Sequence, residues 1–302
     1  MRGKISVGTA SWSEAEFIGT WYPKGLPADE RLAWYAEHFN LVEVNSTFYR
    51  IPTPEIVQSW SAQTPDEFTF NVKLHRVLSH SSGPEFLPPD LRPKTVVKNG
   101  KVSVTPALES EVARRFIKAV EPFEGAGKMG AFLLQLSPSF GPRSNELKDL
   151  DHLVSCFRGK KLAIELRNRS WLAPERSQET ENWFRKHHVT FVMVDGPDDP
   201  HFMVLPSHDL ITNPRLAYIR AHGRNASQYV RGRTVAERFD YDYSNAEIRE
   251  LARRAKKIVT HSDELHVVFN NNKADYAPDA AERLLKMLST KRAKTEREAA
   301  YA

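Results

Sequence analysis

The sequence predicts an α/β fold, a single (β/α)8 barrel of the TIM type. Eight short apolar runs alternate with segments of helical period, which is the order that parallel strands joined by right-handed crossovers require. Seven of these runs end with charged or amide residues at every second position, as in LVEVN and YIRAH. Polar side chains then share one strand face and apolar ones the other. This pattern is typical of a barrel covered by helices whose strand ends open onto a polar chamber.

The elements follow in order along the chain. We expect strands at residues 5–8, 41–45, 68–75, 129–136, 162–167, 190–195, 216–222 and 265–270. We expect helices at residues 31–39, 54–63, 108–120, 146–157, 175–187, 245–258 and 279–288. Proline or a capping residue opens several of them, as at Thr53-Pro54 and Ser244-Asn245. The segment 195–213 is too polar and proline-rich for a helix, so the sixth crossover is expected to be irregular.

The barrel is predicted to occupy residues 1–290 as one domain, with a long insertion at 76–106. The insertion contains Asn99-Gly100 between apolar runs, which is a strong signal for a two-residue hairpin. Because it follows the carboxyl end of the third strand, we expect it to form a lid over the barrel mouth. The basic tail at 291–302 is expected to be a frayed helix or disordered.

Composition narrows the class of protein. The chain has 302 residues, of which 40% are hydrophobic, enough for a sizeable core. Its net charge of +5 is too small a surplus to identify a nucleic-acid binder. Cys156 is the only cysteine, which excludes a disulfide framework and a Cys-based zinc site. With no signal-peptide pattern and no bilayer-spanning apolar run, we expect a cytoplasmic protein without a membrane partner.

Ionic residues at inward strand positions form the candidate catalytic group. Burying an unpaired charge costs several kcal/mol, so such residues must be paired, solvated or functional. Lys73, if desolvated, could act as a base or form a Schiff base, although Glu43 on the next strand is expected to keep it charged. The acid/base candidates are Glu165, Asp195, His75 and His222. A network that only neutralises charge and fixes the barrel remains an alternative.

The residues predicted to bind substrate lie at strand ends and in the loops that follow. Arg220, Arg224 and the Gly223 backbone could hold a phosphate or carboxylate, although a plain turn at Gly223 is equally compatible. Tyr49 and Trp171 could stack on a sugar or base, with packing beneath a loop as the alternative. The other predicted contacts are Glu43, Asn45, His75, Gln135, Arg167, Asn270 and Asn271.

A divalent metal is the one cofactor that these residues suggest. Glu165, Asp195 and His222 offer oxygen and imidazole ligands suited to Mn, Mg or Zn. Arg167 and Arg220 would lie beside such an ion, however, and cations repel cations. We therefore predict no cofactor and no metal, and keep this set as the candidate if a metal is bound.

Several segments together resemble one known family. The most specific are VEVNSTFYR at 42–50, IELRNRSW at 164–171 and YIRAHGRN at 218–225, with GTASW at 8–12 and VVFNNN at 267–272. They resemble the YecE-like proteins, also called domain of unknown function family 72, over nearly the whole chain. The resemblance implies a TIM-type barrel and no particular activity. The family's recurring polar residues correspond here to Glu43, Asn45, Thr47, Tyr49, Lys73, Gln135, Glu165, Arg167, Trp171, Asp195, Arg220, His222, Gly223, Asn270 and Asn271.

This chain departs from shorter members of the family after the third strand, where Ser79-His80 leads into the long insertion. Ligand specificity carried by that loop can therefore differ. The leading hypothesis is an enzyme, a lyase, isomerase or hydrolase without a redox cofactor, acting on a small phosphorylated or carboxylated sugar-like compound. In it, Arg167, Arg220 and Lys73 hold negative charge, Glu165 and His222 exchange protons, and Asn45, Gln135 and Asn270 orient hydroxyls.

Two alternatives belong to other classes. One is a metal-dependent phosphodiesterase or nuclease that grips a nucleic-acid strand. The other is a non-catalytic protein that binds an anionic ligand. The sequence makes no prediction of oligomeric state.

Overall fold

Eight parallel strands close into a barrel in the computed structural model, which describes residues 3–79, 82–197, 205–227, 237 and 240–300. The barrel strands are β1 Lys4–Ala10, β2 Leu41–Val44, β3 Thr69–Lys73, β6 Met129–Gln135, β7 Leu162–Glu165, β8 Thr190–Asp195, β9 Ala217–Ala221 and β10 Glu264–Phe269. Their order follows the chain, and β1 pairs with both β2 and β10 to close the cylinder. The predicted single (β/α)8 barrel is confirmed.

The helices cover the outside of this barrel. They are α1 Arg31–His38, α2 Pro54–Ala62, α3 Pro106–Ala119, α4 Glu121–Gly125, α5 Asp151–Cys156, α6 Ser177–Lys186, α7 Asn245–Ile258 and α8 Tyr276–Ala300. The predicted helix at 146–157 is split into a 3-10 turn and α5, and α4 was not predicted. The backbone of α8 is helical to Ala300. The helix therefore includes most of the segment 291–302, which was expected to be a frayed helix or disordered. No helix among the described residues combines the length and apolar character needed to cross a membrane.

Local sequence explains where these helices begin and how they attach. Ser244 and Glu247 form a reciprocal capping box at the start of α7, which satisfies otherwise unpaired backbone N–H groups. The buried residues of α7 recur at helical spacing on one face, namely Ile248, Leu251, Ala252, Ala255 and Ile258. Burying that apolar stripe fixes the helix against the barrel.

Side chains inside the barrel fall into an apolar part and a polar part. The apolar interior cluster consists of Ala10, Leu41, Leu133, Ala163, Val192, Tyr218 and Val268. Glu43, Lys73, Glu165 and Arg220 occupy inward positions nearer the carboxyl ends of their strands and are buried. The barrel is thus a filled core with an ionic layer towards the mouth, where enzymes of this fold keep their sites.

The insertion forms the predicted hairpin, with β4 Val97–Lys98 antiparallel to β5 Lys101–Val102. Asn99 and Gly100 have φ values of 50° and 73°, as a two-residue turn between twisted strands requires. Asp90 accepts a hydrogen bond from Arg115 of α3 at 3.1 Å, which holds the insertion against that helix. A cavity of about 720 Å³ lies between the insertion, α3 and the loop after β2. The role as a lid over the mouth stays a prediction, and His80 lies outside the described residues.

Candidate functional site

Arg220 on β9 is the centre of an ionic cluster inside the barrel, which we call the inner network and define as Glu43, Glu165, Tyr218, Arg220 and His222. Arg220 donates to Glu43 through Nε at 3.0 Å and Nη2 at 2.7 Å, and through Nη1 to Glu165. Tyr218 donates its hydroxyl to Glu43 at 2.5 Å. Arg220, Glu43 and Glu165 are fully buried, so each charge depends on these partners for stabilisation.

Glu165 is the most heavily contacted carboxylate of the inner network. Besides Arg220, it accepts a hydrogen bond from Gln135 Nε2 at 2.8 Å, and Arg167 Nε lies 3.5 Å from its Oε1. Burial alone would raise its pKa, but the charges of Arg220 and Arg167 and the hydrogen bond from His222 hold the pKa of this carboxyl well below its usual range. Glu165 is therefore ionised at neutral pH.

Both ring nitrogens of His222 are in contact with other side chains. Asn270 Nδ2 lies 3.0 Å from Nδ1, and Glu165 Oε1 lies 3.2 Å from Nε2. Because the amide nitrogen can only donate, Nδ1 accepts and the ring proton lies on Nε2, directed at Glu165. Burial lowers the pKa of His222 despite the neighbouring carboxylate. The ring is thus held neutral and in one tautomer.

Lys73, at the end of β3, lies beside the inner network without joining its hydrogen bonds. Its side chain is 8% exposed, and its Nζ lies 4.3 Å from the centre of the Phe48 ring. No residue that the structure describes accepts a hydrogen bond from this Nζ. Burial and the charge of Arg220 lower its pKa to about 7, against the attraction of Glu43 and Glu165. Glu43 favours the charged form of Lys73, but its carboxylate is occupied by Arg220 and Tyr218, so the expectation that it keeps Lys73 charged stays a prediction.

Glu14, in the loop after β1, is a candidate that the sequence analysis missed. Burial raises the pKa of its carboxyl, while a hydrogen bond from Ser11 and the charge of Lys73 act in the opposite direction. Glu14 therefore belongs with the charged groups that interact with Lys73. A signal was present, since SWSE directly follows a strand end, but strand periodicity does not extend into loops.

Asp195 and Arg224 belong to a second ionic cluster on the other face of the sheet. Asp195 accepts from Arg224 at 2.9 and 2.8 Å and from the Tyr243 hydroxyl at 2.9 Å. Arg254 of α7 lies 3.5 Å from the same carboxylate. We call Asp195, Arg224, Tyr243 and Arg254 the outer network. The expected grouping of Asp195 with Glu165 is wrong, because Asp195 pairs in register with the outward-facing Ala221.

The arrangement argues against the candidate metal site. Glu165 and His222 are adjacent, but Asp195 lies on the opposite face of β8. In the part of the chain that the structure describes, no three His, Cys, Asp or Glu side chains are grouped closely enough to hold a metal ion. The donor set expected from the sequence is therefore not assembled.

The backbone of Gly223 explains why a glycine occupies this position, and its N–H is already used in a hydrogen bond. Its N–H donates to the Tyr243 hydroxyl at 2.9 Å, and its φ is 88°. A Cβ at this position would lie 2.4 Å from Cβ of Tyr241, closer than carbon atoms can approach. The turn interpretation therefore accounts for this glycine.

The remaining predicted residues lie in three different surroundings. Trp171 is buried, donates to the Phe140 carbonyl at 2.9 Å and stacks on that ring, so it packs beneath a loop. Tyr49, 60% exposed, and His75 line the cavity beside the insertion. Asn45 Oδ1 and Asn271 Oδ1 are buried without a hydrogen-bond partner among the described residues.

The chain matches a family model described as "Protein of unknown function DUF72" over residues 6–301. It is 25% identical to the UPF0759 protein YunF of Bacillus subtilis (strain 168) over 289 residues, which is 94% of each protein. It is 28% identical to the UPF0759 protein YecE of Escherichia coli (strain K12), over 59% of this chain and 54% of that protein.

Solved structures show the same similarity in three dimensions. The crystal structure of a DUF72 family protein from Thermotoga maritima MSB8 superposes with a TM-score of 0.77 at 28% identity, covering 95% of this chain and 99% of that one. A DUF72 family protein from Enterococcus faecalis V583 gives a TM-score of 0.77 at 28% identity, covering 94% and 95%. The family match over almost the whole sequence and the shared barrel show that this chain belongs to the DUF72 family.

Proposed function

We propose that the barrel mouth is a catalytic site for a small sugar-like compound carrying a carboxylate or phosphate, with Lys73 as the group that exchanges protons. One observation carries this proposal. A buried lysine with a pKa of about 7 lies beside a network of carboxylates that are already paired with other donors. An amine that titrates near neutral pH has the property that a general base needs.

The contacts support roles that differ from those expected from the sequence. Arg220 uses three of its N–H groups on Glu43 and Glu165, which makes it a positioning residue rather than a ligand for substrate. Glu165 is held ionised and receives donors from several sides, so it orients its neighbours. His222 is held between Asn270 and Glu165. These three residues support the site, and Lys73 is left to react.

Arg167 is the residue we assign to the anionic group of the substrate. Its side chain keeps 16% exposure, while that of Arg220 keeps 1%. A guanidinium can hold a carboxylate or phosphate by two parallel hydrogen bonds. An anion held there would lie close to Lys73, whose charge interacts with that of Arg167.

Proton transfer follows from this placement. The uncharged Lys73 amine accepts a proton from a carbon or hydroxyl of the bound compound. The ammonium that forms is stabilised by the charges of Glu43 and Glu165, which already interact with it. Because those carboxylates are fixed by Arg220 before substrate arrives, their stabilisation requires little reorganisation. The chemistry needs no redox cofactor.

Binding and turnover can be measured separately. Titration calorimetry with inorganic phosphate and with gluconate, a carboxylated sugar derivative, measures anion binding. We expect Arg167→Gln to weaken binding about tenfold or more, the loss of one charge-assisted contact. Arg224→Gln in the outer network is the matched control and should bind as the unaltered chain does. Equal weakening by both variants would contradict the assignment.

Turnover is measured by incubating sugar phosphates and sugar acids in D2O and following C–H exchange and product signals by nuclear magnetic resonance. We expect Lys73→Met to abolish any exchange that the unaltered chain catalyses, while binding persists. The non-catalytic alternative, which the full burial of Arg220, Glu43 and Glu165 favours, is supported if anions bind without exchange. Activity on DNA or RNA that disappears with a chelator would instead support the nuclease alternative.

A further inference from the structure

We propose that Lys73 forms a covalent imine with an aldehyde or ketone that carries a carboxylate or phosphate. The inference rests on the proposed function, because it uses the same mouth and the same anion site at Arg167. It goes further by naming the reacting bond of the substrate, a carbonyl, and by giving Lys73 the role of nucleophile.

A second buried lysine shows what is unusual about Lys73. Lys128, 5% exposed, donates from Nζ to the carbonyls of Ser61 at 2.7 Å and Thr64 at 2.8 Å, and to the Thr64 hydroxyl at 3.3 Å. All three ammonium hydrogens of Lys128 are thereby satisfied. Lys73 is almost as buried, yet no described residue accepts from its Nζ. Lys73 therefore differs from Lys128 in having no described protein acceptor that a reacting compound would first have to displace from its Nζ.

The groups around Lys73 explain this difference. The nearest carboxylates are already used, Glu43 by Arg220 and Tyr218, and Glu165 by Arg220 and Gln135. The Phe48 ring lies against Nζ, with its centre 4.3 Å away. Among the described residues, the charged groups that interact with Lys73 are Glu14 after β1, Glu43 on β2, Glu165 and Arg167 at the end of β7, and Arg220 on β9.

Imine formation requires an uncharged amine with a free lone pair. The nitrogen lone pair of Lys73 adds to the carbonyl carbon, and the carbonyl π electrons move to oxygen. The proton lost from nitrogen is taken up by that oxygen to give a carbinolamine. The hydroxyl then leaves with a second proton as water, and a carbon–nitrogen double bond forms. No electrons are gained or lost, and no co-reactant is needed.

Reductive trapping tests the proposal directly. The purified protein is incubated at pH 7 with glyoxylate, an aldehyde that carries a carboxylate, and with cyanoborohydride. Hydride addition converts the imine into a stable carboxymethyl amine, which peptide mass spectrometry locates. Because an exposed lysine is almost wholly protonated at pH 7, we expect Lys73 to be labelled at least ten times faster than Lys98 and Lys101, which are exposed on the hairpin.

Two variants make the result specific. Lys73→Met should lose the fast label and leave the labelling of the hairpin lysines unchanged. Arg167→Gln should slow the labelling of Lys73 about tenfold, since it removes the contact to the carboxylate. Circular dichroism checks that both variants fold. Fast labelling of Lys73 that is insensitive to Arg167→Gln would overturn the anionic substrate class.

The failure of this inference differs from failure of the proposed function. If glyoxylate binds with a dependence on Arg167 but Lys73 is labelled no faster than Lys98, the imine is disproved while the anion site stands. If neither glyoxylate, phosphate nor gluconate binds at the mouth, both fall together.

Discussion

The inner and outer networks lie at the same rim of the barrel, on opposite faces of neighbouring strands. In the inner network, Arg220 is 1% exposed and is shared between two carboxylates from distant strands. In the outer network, Arg224 is 26% exposed and contacts Asp195 and the exposed Glu250. Inward placement therefore creates a cluster that depends wholly on its own pairing, whereas in the outer cluster the arginine also contacts solvent.

Buried charge has a different function in each network. The outer network joins β8 and the loop after β9 to α7, and it lines a cavity of about 500 Å³ with Ser207 and Asp209. The inner network joins strands across the barrel and fixes the surroundings of Lys73. The first arrangement fastens helices to strands, and the second prepares a reactive group.

The largest expected effect comes from removing the central arginine of each network. Arg220→Met leaves Glu43 and Glu165 buried without their main counterion, which should cost about 3–5 kcal/mol of unfolding free energy in urea titrations. Arg224→Met should cost about 1–2 kcal/mol, because Tyr243 and Arg254 still contact Asp195. Equal losses of unfolding free energy would show that both networks depend to the same extent on the pairing of their charges.

A third variant sharpens this test. Combining Arg220→Met with Glu43→Gln and Glu165→Gln removes all three buried charges together. Because the penalty arises from unpaired charge, the combined variant should be more stable than Arg220→Met alone. A combined loss equal to the sum of the single losses would mean that packing, not charge, dominates.

The pH dependence of stability tests the environment of Lys73. Its pKa in the folded chain is about 7 and its ordinary value is 10.5, so the unfolded chain binds more protons between these values. Stability should therefore rise with pH across that window, with a slope approaching about 1.4 kcal/mol per pH unit. Below pH 7 the whole penalty of the buried charge is present in the folded state.

Lys73→Met removes this titration and should be the more stable chain at pH 7 and below, with the difference shrinking towards pH 10.5. Urea unfolding at a series of pH values measures the two curves. Lys128→Met is the control and should be less stable at every pH, since it loses three hydrogen bonds. Parallel curves for Lys73→Met and the unaltered chain would contradict a lowered pKa.

The fold and the inner network were predictable because strand periodicity determines which face a residue occupies. The spacing alone predicted that Glu43, Lys73, Glu165 and Arg220 point inward. The hairpin turn at Asn99-Gly100 was predicted from turn chemistry. Asp195 was misplaced because it lies one residue beyond an inward position, and a shift of one residue reverses the face. Period alone did not show which of several inward residues at a strand end would be neighbours.

The sequence could not predict which side chains of the site form hydrogen bonds with each other, and the reason is different. Arg220 and Lys73 both lie near Glu43, and only side-chain geometry shows that the guanidinium takes both carboxylate oxygens. Strand periodicity also predicts nothing about residues in loops, which explains why Glu14 was missed. The sequence left two interpretations of Gly223 open, a turn and an anion site, because a glycine permits both. Only the contact with Tyr241 distinguishes them.

Gly223 offers the next test, because it links the outer network to the backbone. Gly223→Ala combines a positive φ with a Cβ 2.4 Å from Cβ of Tyr241, and should cost roughly 3 kcal/mol of unfolding free energy. Gly100→Ala is the matched control, since Gly100 also has a positive φ but a Cβ there meets nothing within 4 Å. That variant should cost about 1 kcal/mol. If the two lose stability equally, crowding at Gly223 has no role.

The smallest expected effect comes from removing one hydroxyl from each network. Tyr243→Phe deprives both the Gly223 N–H and Asp195 of a partner, and should cost about 2 kcal/mol. Tyr218→Phe deprives Glu43 of one donor, but Arg220 still contacts both oxygens of that carboxylate, so about 1 kcal/mol is expected. Urea unfolding of the two variants ranks them. The reverse order would mean that the Tyr218 bond, inside the barrel and away from solvent, is the stronger, because a charge-assisted bond strengthens as the surrounding dielectric falls.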